Sequence, residues 1–199
     1  MNGNRLPVVM AMTGASGAPY GIRLLEQLAH NGVPVWLIIS GHGYRLLDTE
    51  SGIVSLEALR TTIGKAQFDR NVTVFDDNDR GAKPASGSAR NAGMVICPCS
   101  MGTVAAVAHG TSRSLVERAA DVTLKERRPL LLVTRETPLS LIHLENLTQV
   151  TRAGATVFPA SPGFYNRPTD ILQLVDFVVA RILDHLNIEH TLGKRWGEV

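Results

Sequence analysis

Residues 6–17 read Leu6-Pro-Val-Val-Met-Ala-Met-Thr-Gly-Ala-Ser-Gly17, and this stretch decides the fold. Residues 6–12 form an apolar run, the pattern of a strand buried on both faces. Residues 13–17 are a loop of small residues. Beyond it Ile22, Leu25, Leu28 and Ala29 recur at helical spacing until Gly32, a residue suited to the position just past a helix end. A buried strand, a glycine-bearing loop and an amphipathic helix make the first half of a βαβ unit.

The alternation continues outward. Residues 33–40 are a second apolar run rich in β-branched side chains, followed by helix signals over 44–50 and 55–63 and a short strand at 72–75. Residues 76–91 are polar and rich in Gly, Ser and Pro, hence a long loop, and loops of that length inside a compact domain are usually functional. The third clear run, 93–97, precedes helices over 101–109 and 114–127. A strand at 130–134, a helix at 139–152, a strand at 155–158 and a helix at 169–186 complete the chain, with Pro168 and Asp170 marking the last helix start. Strands alternating with helices predict a mainly parallel sheet covered on both faces. The expected fold class is α/β: a single doubly wound, Rossmann-like or flavodoxin-like domain over residues 1–199. Its tail, 187–199, with Lys194, Arg195 and Trp196, is expected to reach a neighbouring subunit.

Composition removes several function classes. The 199 residues are 44% hydrophobic and 19% charged, with mean hydropathy +0.06, a globular balance rather than a disordered or fibrous one. Twenty basic against 18 acidic residues give +2, too even for the basic face of a nucleic-acid binder. No apolar run approaches the roughly 20 residues of a membrane span. The opening Met1-Asn-Gly-Asn-Arg-Leu-Pro7 lacks a signal-peptide layout. Two cysteines, Cys97 and Cys99, imply no disulfide framework. A cytoplasmic protein is expected.

Ligands of doubly wound folds bind outside the C-terminal ends of the strands, where this chain places its unusual loops: 13–17, Ser40-Gly-His42, Pro98-Cys-Ser-Met-Gly-Thr103 and Arg135-Glu136-Thr-Pro138. The first could cradle a phosphate on backbone N–H groups at a helix N-terminus. Its spacing, Gly14, Gly17, Gly21, is not the G-x-G-x-x-G dinucleotide fingerprint, and the second run ends in Ser40 rather than in a carboxylate for a ribose. No Walker Gly-Lys-Ser/Thr follows. A mononucleotide, with FMN the natural candidate, suits the loop; a tight strand-to-helix turn is the plainer alternative.

The remaining features carry less. Cys97-Pro-Cys99 lacks the C-x-x-C spacing and a second Cys/His cluster, so strand-end core thiols are expected. The six histidines form no H-E-x-x-H, which leaves zinc hydrolysis without support. Asp76-Asp77-Asn78-Asp79 is similar to an aspartate-rich diphosphate motif, but Arg80 breaks the register and the stretch reads as a solvated acidic turn. Arg118 and Lys125, seven apart on one helix, share a face about 10 Å apart along the axis; ordinary surface pairing, Asp121 with Lys125, is the alternative. Arg181, within an apolar stretch, needs Asp184 or a bound phosphate as partner.

Taken together, Met12-Thr-Gly-Ala-Ser-Gly17, Pro84-Ala-Ser-Gly-Ser88, Met94-Val-Ile-Cys-Pro-Cys-Ser-Met-Gly-Thr103, the run from Glu117 to Pro129, Arg135-Glu-Thr-Pro138, His143-Leu-Glu-Asn146, Pro162-Gly-Phe-Tyr165, Val178-Val-Ala-Arg-Ile-Leu183 and Arg195-Trp-Gly197 closely resemble the UbiX-type flavin prenyltransferases of the flavin-binding cysteine decarboxylase-like superfamily. The resemblance implies transfer of a dimethylallyl group from dimethylallyl monophosphate to N5 and C6 of reduced FMN, with release of phosphate and without a metal. It implies a product, prenylated FMN, for UbiD-type decarboxylases, including one of ubiquinone biosynthesis, and a homododecamer with sites between subunits. By the same resemblance Gly14, Ala15, Ser16, Ser40, Ser100, Met101, Gly102, Thr103 and Arg135 hold FMN. Tyr165, Arg181, Lys125 and Arg118 hold the prenyl phosphate, and Glu136, Lys125, Arg118 and Ser16 are catalytic.

That chemistry suits the residue types. An allylic phosphate ionises only where charge building on the leaving group is stabilised, and fixed Arg and Lys donors can do so. One departure stands out: Ala89, Arg90 and Asn91 replace the aromatic, Lys and Thr that many relatives carry after Ser-Gly-Ser, and Arg is not equivalent to Lys in geometry. Two other readings remain open: a flavin-dependent decarboxylase of the cysteine-peptide type, whose relatives carry Pro-Ala-Ser-Ala-Asn-Thr, and a non-catalytic FMN carrier.

Overall fold

A computed structural model describes residues 5–193. Six strands form one fully parallel sheet: β1 (Val8–Met12), β2 (Val35–Ile39), β3 (Val72–Phe75), β4 (Gly93–Cys99), β5 (Leu130–Thr134) and β6 (Thr156–Pro159), in the order β3-β2-β1-β4-β5-β6. The chain winds from β1 to one edge, returns, and continues from β4 to the other. The order therefore reverses between β1 and β4, and a crevice opens at that switch point.

The strands read as apolar runs because both faces are covered. Val8, Met10, Met12, Leu37, Val95 and Val133 point into one core, closed by α1 (Ala18–His30), α3 (Leu56–Ile63), α4 (Lys65–Asn71) and α8 (Ile171–His185). Val9, Ala11, Ile38, Met94, Ile96 and Leu132 point into the other, closed by α5 (Met101–Ala108), α6 (Leu115–Lys125) and α7 (Leu141–Arg152). Burying one Val or Leu side chain contributes about 1.5–3 kcal/mol, so these two layers dominate the stability.

The predicted elements are present with ends displaced by one to four residues in either direction, and residues 130–134 and 72–75 match in full. Two differences have physical causes. Residues 65–71, unassigned from the sequence, form α4, a single short helix held by the buried Phe68. The strand expected at 93–97 extends to Cys99, and its register against β5 shifts between Ile96 and Cys99. That shift sends Cys97 into the first core and Cys99 into the second, although residues two apart on a regular strand share a face. The two thiols are thus separate core residues, and burial pushes both well above the ordinary cysteine range.

The 76–91 loop crosses the rim of the sheet, with a single 3-10 turn at Lys83–Ala85. Its acidic turn is not merely solvated. The Leu115 N–H donates to the Asp77 carbonyl at 2.7 Å and the Val116 N–H to Asp77 Oδ1 at 2.9 Å, so Asp77 caps the start of α6. Of the tail expected to reach a neighbour, Lys194, Arg195 and Trp196 lie outside the described residues.

Candidate functional site

At the switch point the loops after β1 and β4 are tied together. The Thr13 hydroxyl donates to the Pro98 carbonyl at 3.0 Å and accepts the Ser100 N–H at 2.9 Å. Ser100 is the N-cap of α5: its Oγ accepts the Thr103 N–H at 3.2 Å and lies 3.0 Å from the Thr103 hydroxyl. The N–H groups of Met101 and Gly102 lie in the first turn, where no helix carbonyl can meet them. Ser40 plays the same part for α2 (Gly41–Ser51), accepting the Gly43 N–H at 3.1 Å.

These loops border a cleft of about 480 Å³ whose lining includes Thr13, Gly14, Ser40, Ser100, Gly102 and Thr103, together with the charged Asp77, Arg113 and Glu117. Space is tight at Gly14, where an added Cβ would lie 2.6 Å from the Cβ of His42. Serine and threonine hydroxyls beside a helix N-terminus suit the ribityl and phosphate oxygens of FMN. Ala15 and Met101, by contrast, turn their side chains into buried surroundings, so they could offer a ligand only backbone atoms.

The loop after β1 does not hold its helix N-terminus open for a phosphate, as the sequence suggested. Gly17, at φ 126°, a conformation that favours glycine, turns the chain into α1. The N–H groups of Gly17 and Ala18 donate to Glu50 Oε2 at 2.9 and 2.8 Å. The carboxylate of α2 already occupies the positive end of α1. Burial pushes the Glu50 carboxyl up, but bonds from Ser16, Gly17 and Ala18 and the nearby Arg135 outweigh it and hold it below the usual range. Arg135 is anchored in turn, its Nε donating to the Ser16 carbonyl at 3.3 Å. The structure thus brings Ser16 and Arg135 together around Glu50, which the sequence reading missed. The available signal was an acid at 50 on the inward face that carries Gly43 and Leu47.

The other site residues lie apart from that cleft. Glu136 is exposed and accepts the Thr137 N–H at 3.1 Å. Arg118 and Lys125 share a face of α6, and both make ordinary surface pairs, though not the Asp121–Lys125 pair named as the alternative: Arg118 Nη1 reaches Asp121 Oδ2 at 2.8 Å, and Lys125 pairs with Glu126. Glu117, nearly buried, is taken by Arg113, whose N–H, Nε and Nη2 all donate to it. Tyr165 and Arg181 line a separate cavity of about 810 Å³ against α8. There Tyr165 meets Phe177 edge-on at 5.6 Å between centroids, and Arg181, exposed rather than sunk in its apolar stretch, reaches Asp184 at 3.3 Å. Among the described residues no group of three or more His, Cys, Asp or Glu is placed to hold a metal, and no helix is long and apolar enough to cross a membrane.

Comparison with known proteins adds the decisive likeness. The model of the Flavoprotein family matches residues 1–183. Over 197 residues the chain is 48% identical to the flavin prenyltransferase UbiX of Pseudomonas aeruginosa, covering 96% of this chain and 94% of that protein. The chain belongs to the UbiX flavin prenyltransferase family. Two solved structures are close in shape. One is AnUbiX (PadA1) in complex with FMN and dimethylallyl pyrophosphate, at TM-score 0.85 and 40% identity over 96% of this chain and all of that one. The other is the dodecameric FMN-dependent UbiX-like decarboxylase from Escherichia coli O157:H7, at TM-score 0.88 and 38% identity over 97% and 100%. Within this flavin prenyltransferase family, the cleft at the β1–β4 crossing is the natural candidate for FMN.

Proposed function

We propose that this chain is a flavin prenyltransferase that moves a dimethylallyl group from dimethylallyl monophosphate to reduced FMN and releases phosphate. The observation that carries this reading is the hydroxyl-lined cleft between the loops after β1 and β4, in a chain nearly half identical to a named flavin prenyltransferase.

Reduced FMN, bound in that cleft, supplies N5 and C6 as the two positions that accept carbon. The chain's own part is to hold and discharge the donor. As the allylic C–O bond breaks, its electron pair leaves with the phosphate. Arg118, Lys125 and Arg181 supply the fixed positive charge that receives it, with the Tyr165 hydroxyl as a further donor. The bond at N5 replaces the allylic C–O bond and an N–H, while the bond at C6 uses the prenyl double bond, whose neighbouring carbon takes up a proton as C6 gives one up; the Glu136 carboxylate is the group assigned to carry that proton. Arg135, Ser16 and Glu50 orient the flavin, and Gly14, Ser40, Ser100, Gly102 and Thr103 line its bed, with Ala15 and Met101 offering backbone atoms.

The cations supporting this role, on α6 and α8, lie outside the flavin cleft. A homo-oligomer, on this reading a dodecamer like the E. coli relative, would let a neighbouring copy complete each site. The exposed apolar residues Leu141, Ile142, Phe164, Ile171 and Leu172 supply surface for such contacts. On this reading the chain works as one domain in the cytoplasm and passes prenylated FMN to a UbiD-type decarboxylase.

The test is anaerobic incubation of the pure protein with reduced FMN and dimethylallyl monophosphate, with the diphosphate run in parallel. The expected result is phosphate release together with a flavin heavier by one prenyl group. Carbon dioxide release from an aromatic acid with no prenyl donor present, and no change in flavin mass, would replace this reading with a decarboxylase.

A further inference from the structure

The C-terminal end of α6 is fastened to the loop that follows the 3-10 turn. Arg128 Nη1 donates to the Ala89 carbonyl at 3.1 Å and Nη2 to the Gly87 carbonyl at 2.6 Å. The planar guanidinium fork thus spans two carbonyls of one tight turn, a geometry that a lysine does not reproduce. Within that turn the Ser86 and Ser88 hydroxyls are 3.0 Å apart. Gly87, between them, faces the last turn of α6. A Cβ added there would lie 2.8 Å from Lys125 Nζ and overlap the Glu126 carboxylate. The ammonium and its partner therefore rest directly against the hydrogen face of Gly87.

We propose that Arg128 is a positioning residue which, with Gly87, sets the gap between the 86–89 turn and α6 and so fixes where Lys125 presents its ammonium to the prenyl phosphate. This rests on the reading of Lys125 as a phosphate donor given above. The physical argument is one of freedom. A lysine carries a flexible four-carbon stem, and its half-exposed pair with Glu126 binds weakly on its own. Fixed positions are what make a cation effective toward charge that develops on a leaving group. The bare face of Gly87 supplies a wall against which the ammonium rests, and Arg128 supplies the force that keeps the wall in place. Neither residue needs to touch the substrate.

The experiment compares wild type with Lys125→Met, Arg128→Lys and Gly87→Ala. It measures KM for dimethylallyl monophosphate, kcat, the dissociation constant for FMN, and the melting temperature. Gly87→Ala is the informative variant because the atoms its methyl group meets are the far ends of two flexible side chains. The backbone can stay in place while the ammonium is displaced. All three variants are expected to raise KM for the prenyl phosphate several-fold, with the FMN dissociation constant within about 2-fold of wild type and Gly87→Ala melting like wild type. If Lys125→Met leaves KM unchanged, the assignment of Lys125 to the phosphate fails. If Lys125→Met raises KM but both Gly87→Ala and Arg128→Lys leave it unchanged, or lower only the melting temperature, the positioning role is overturned and Arg128 is a structural clamp.

Discussion

The side chain of Thr13 accepts the backbone N–H of Ser100 at 2.9 Å, so the end of β1 and the start of α5 are joined by a single oxygen. The same hydroxyl donates to the Pro98 carbonyl, and Thr13 is only 4% exposed. Thr13→Val keeps the shape but leaves the Ser100 N–H without its partner, while the Pro98 carbonyl keeps the backbone N–H of residue 13, 3.1 Å away. A loss of about 1–3 kcal/mol is expected, read by urea denaturation. FMN affinity should fall with it, because both loops border the cleft proposed for FMN; unchanged FMN binding would separate the cleft from this tie.

Glu136→Gln tests the assigned base. Its side chain is exposed and bonded only to the N–H of the next residue among the bonds described, so the fold should not notice the change. FMN titration should match wild type while kcat falls by roughly 100-fold or more. Lost flavin binding instead would assign Glu136 to the cofactor rather than to the proton.

Glu50 gives a dependence on pH with a definite sign. Its carboxyl sits below the ordinary value of 4.5 in the folded chain. The ionised form therefore stabilises the fold above the unfolded-state value, and that contribution disappears as pH falls through the folded one. Glu50→Ala should cost about 1 kcal/mol near pH 7, as for the loss of a helix cap. The gap between variant and wild type should close as pH drops below about 4.5. A gap independent of pH would mean that the carboxylate charge is not what holds α1.

Cys97 and Cys99 should be unreactive in the native state. Both are fully buried, and burial raises both thiols, so little thiolate exists at neutral pH. Ellman's reagent should detect neither until denaturant is added, and then both. Reaction of one thiol in the folded protein would mean that a core opens far more readily than its packing implies.

Much of the fold was legible because both-side burial writes itself as apolar runs: β1, β2, β4 and β5 announce themselves in this way. The bed of the cleft was legible for a related reason, since Ser40 and Ser100 stand where a strand hands over to a helix and cap it. What was not legible depends on contacts between distant segments. Glu50 lies 33 residues from the N–H of Gly17 that it binds, and nothing in its neighbourhood reports that reach. Asp77 looked like solvated charge because its partners, the first N–H groups of α6, are 38 and 39 residues away. The shift of register that parts Cys97 from Cys99 is likewise a property of the pairing with β5, not of the residues themselves.

Asp77 leaves the edge strand β3, yet its carbonyl and carboxylate hold the first turn of α6, a helix that packs beneath the other half of the sheet. Along this stretch the rim of the cleft proposed for FMN is consequently one continuous bank and not two independent lips. Movement of the chain beyond β3 should carry the start of α6 with it, and a substitution at this one aspartate should loosen both together.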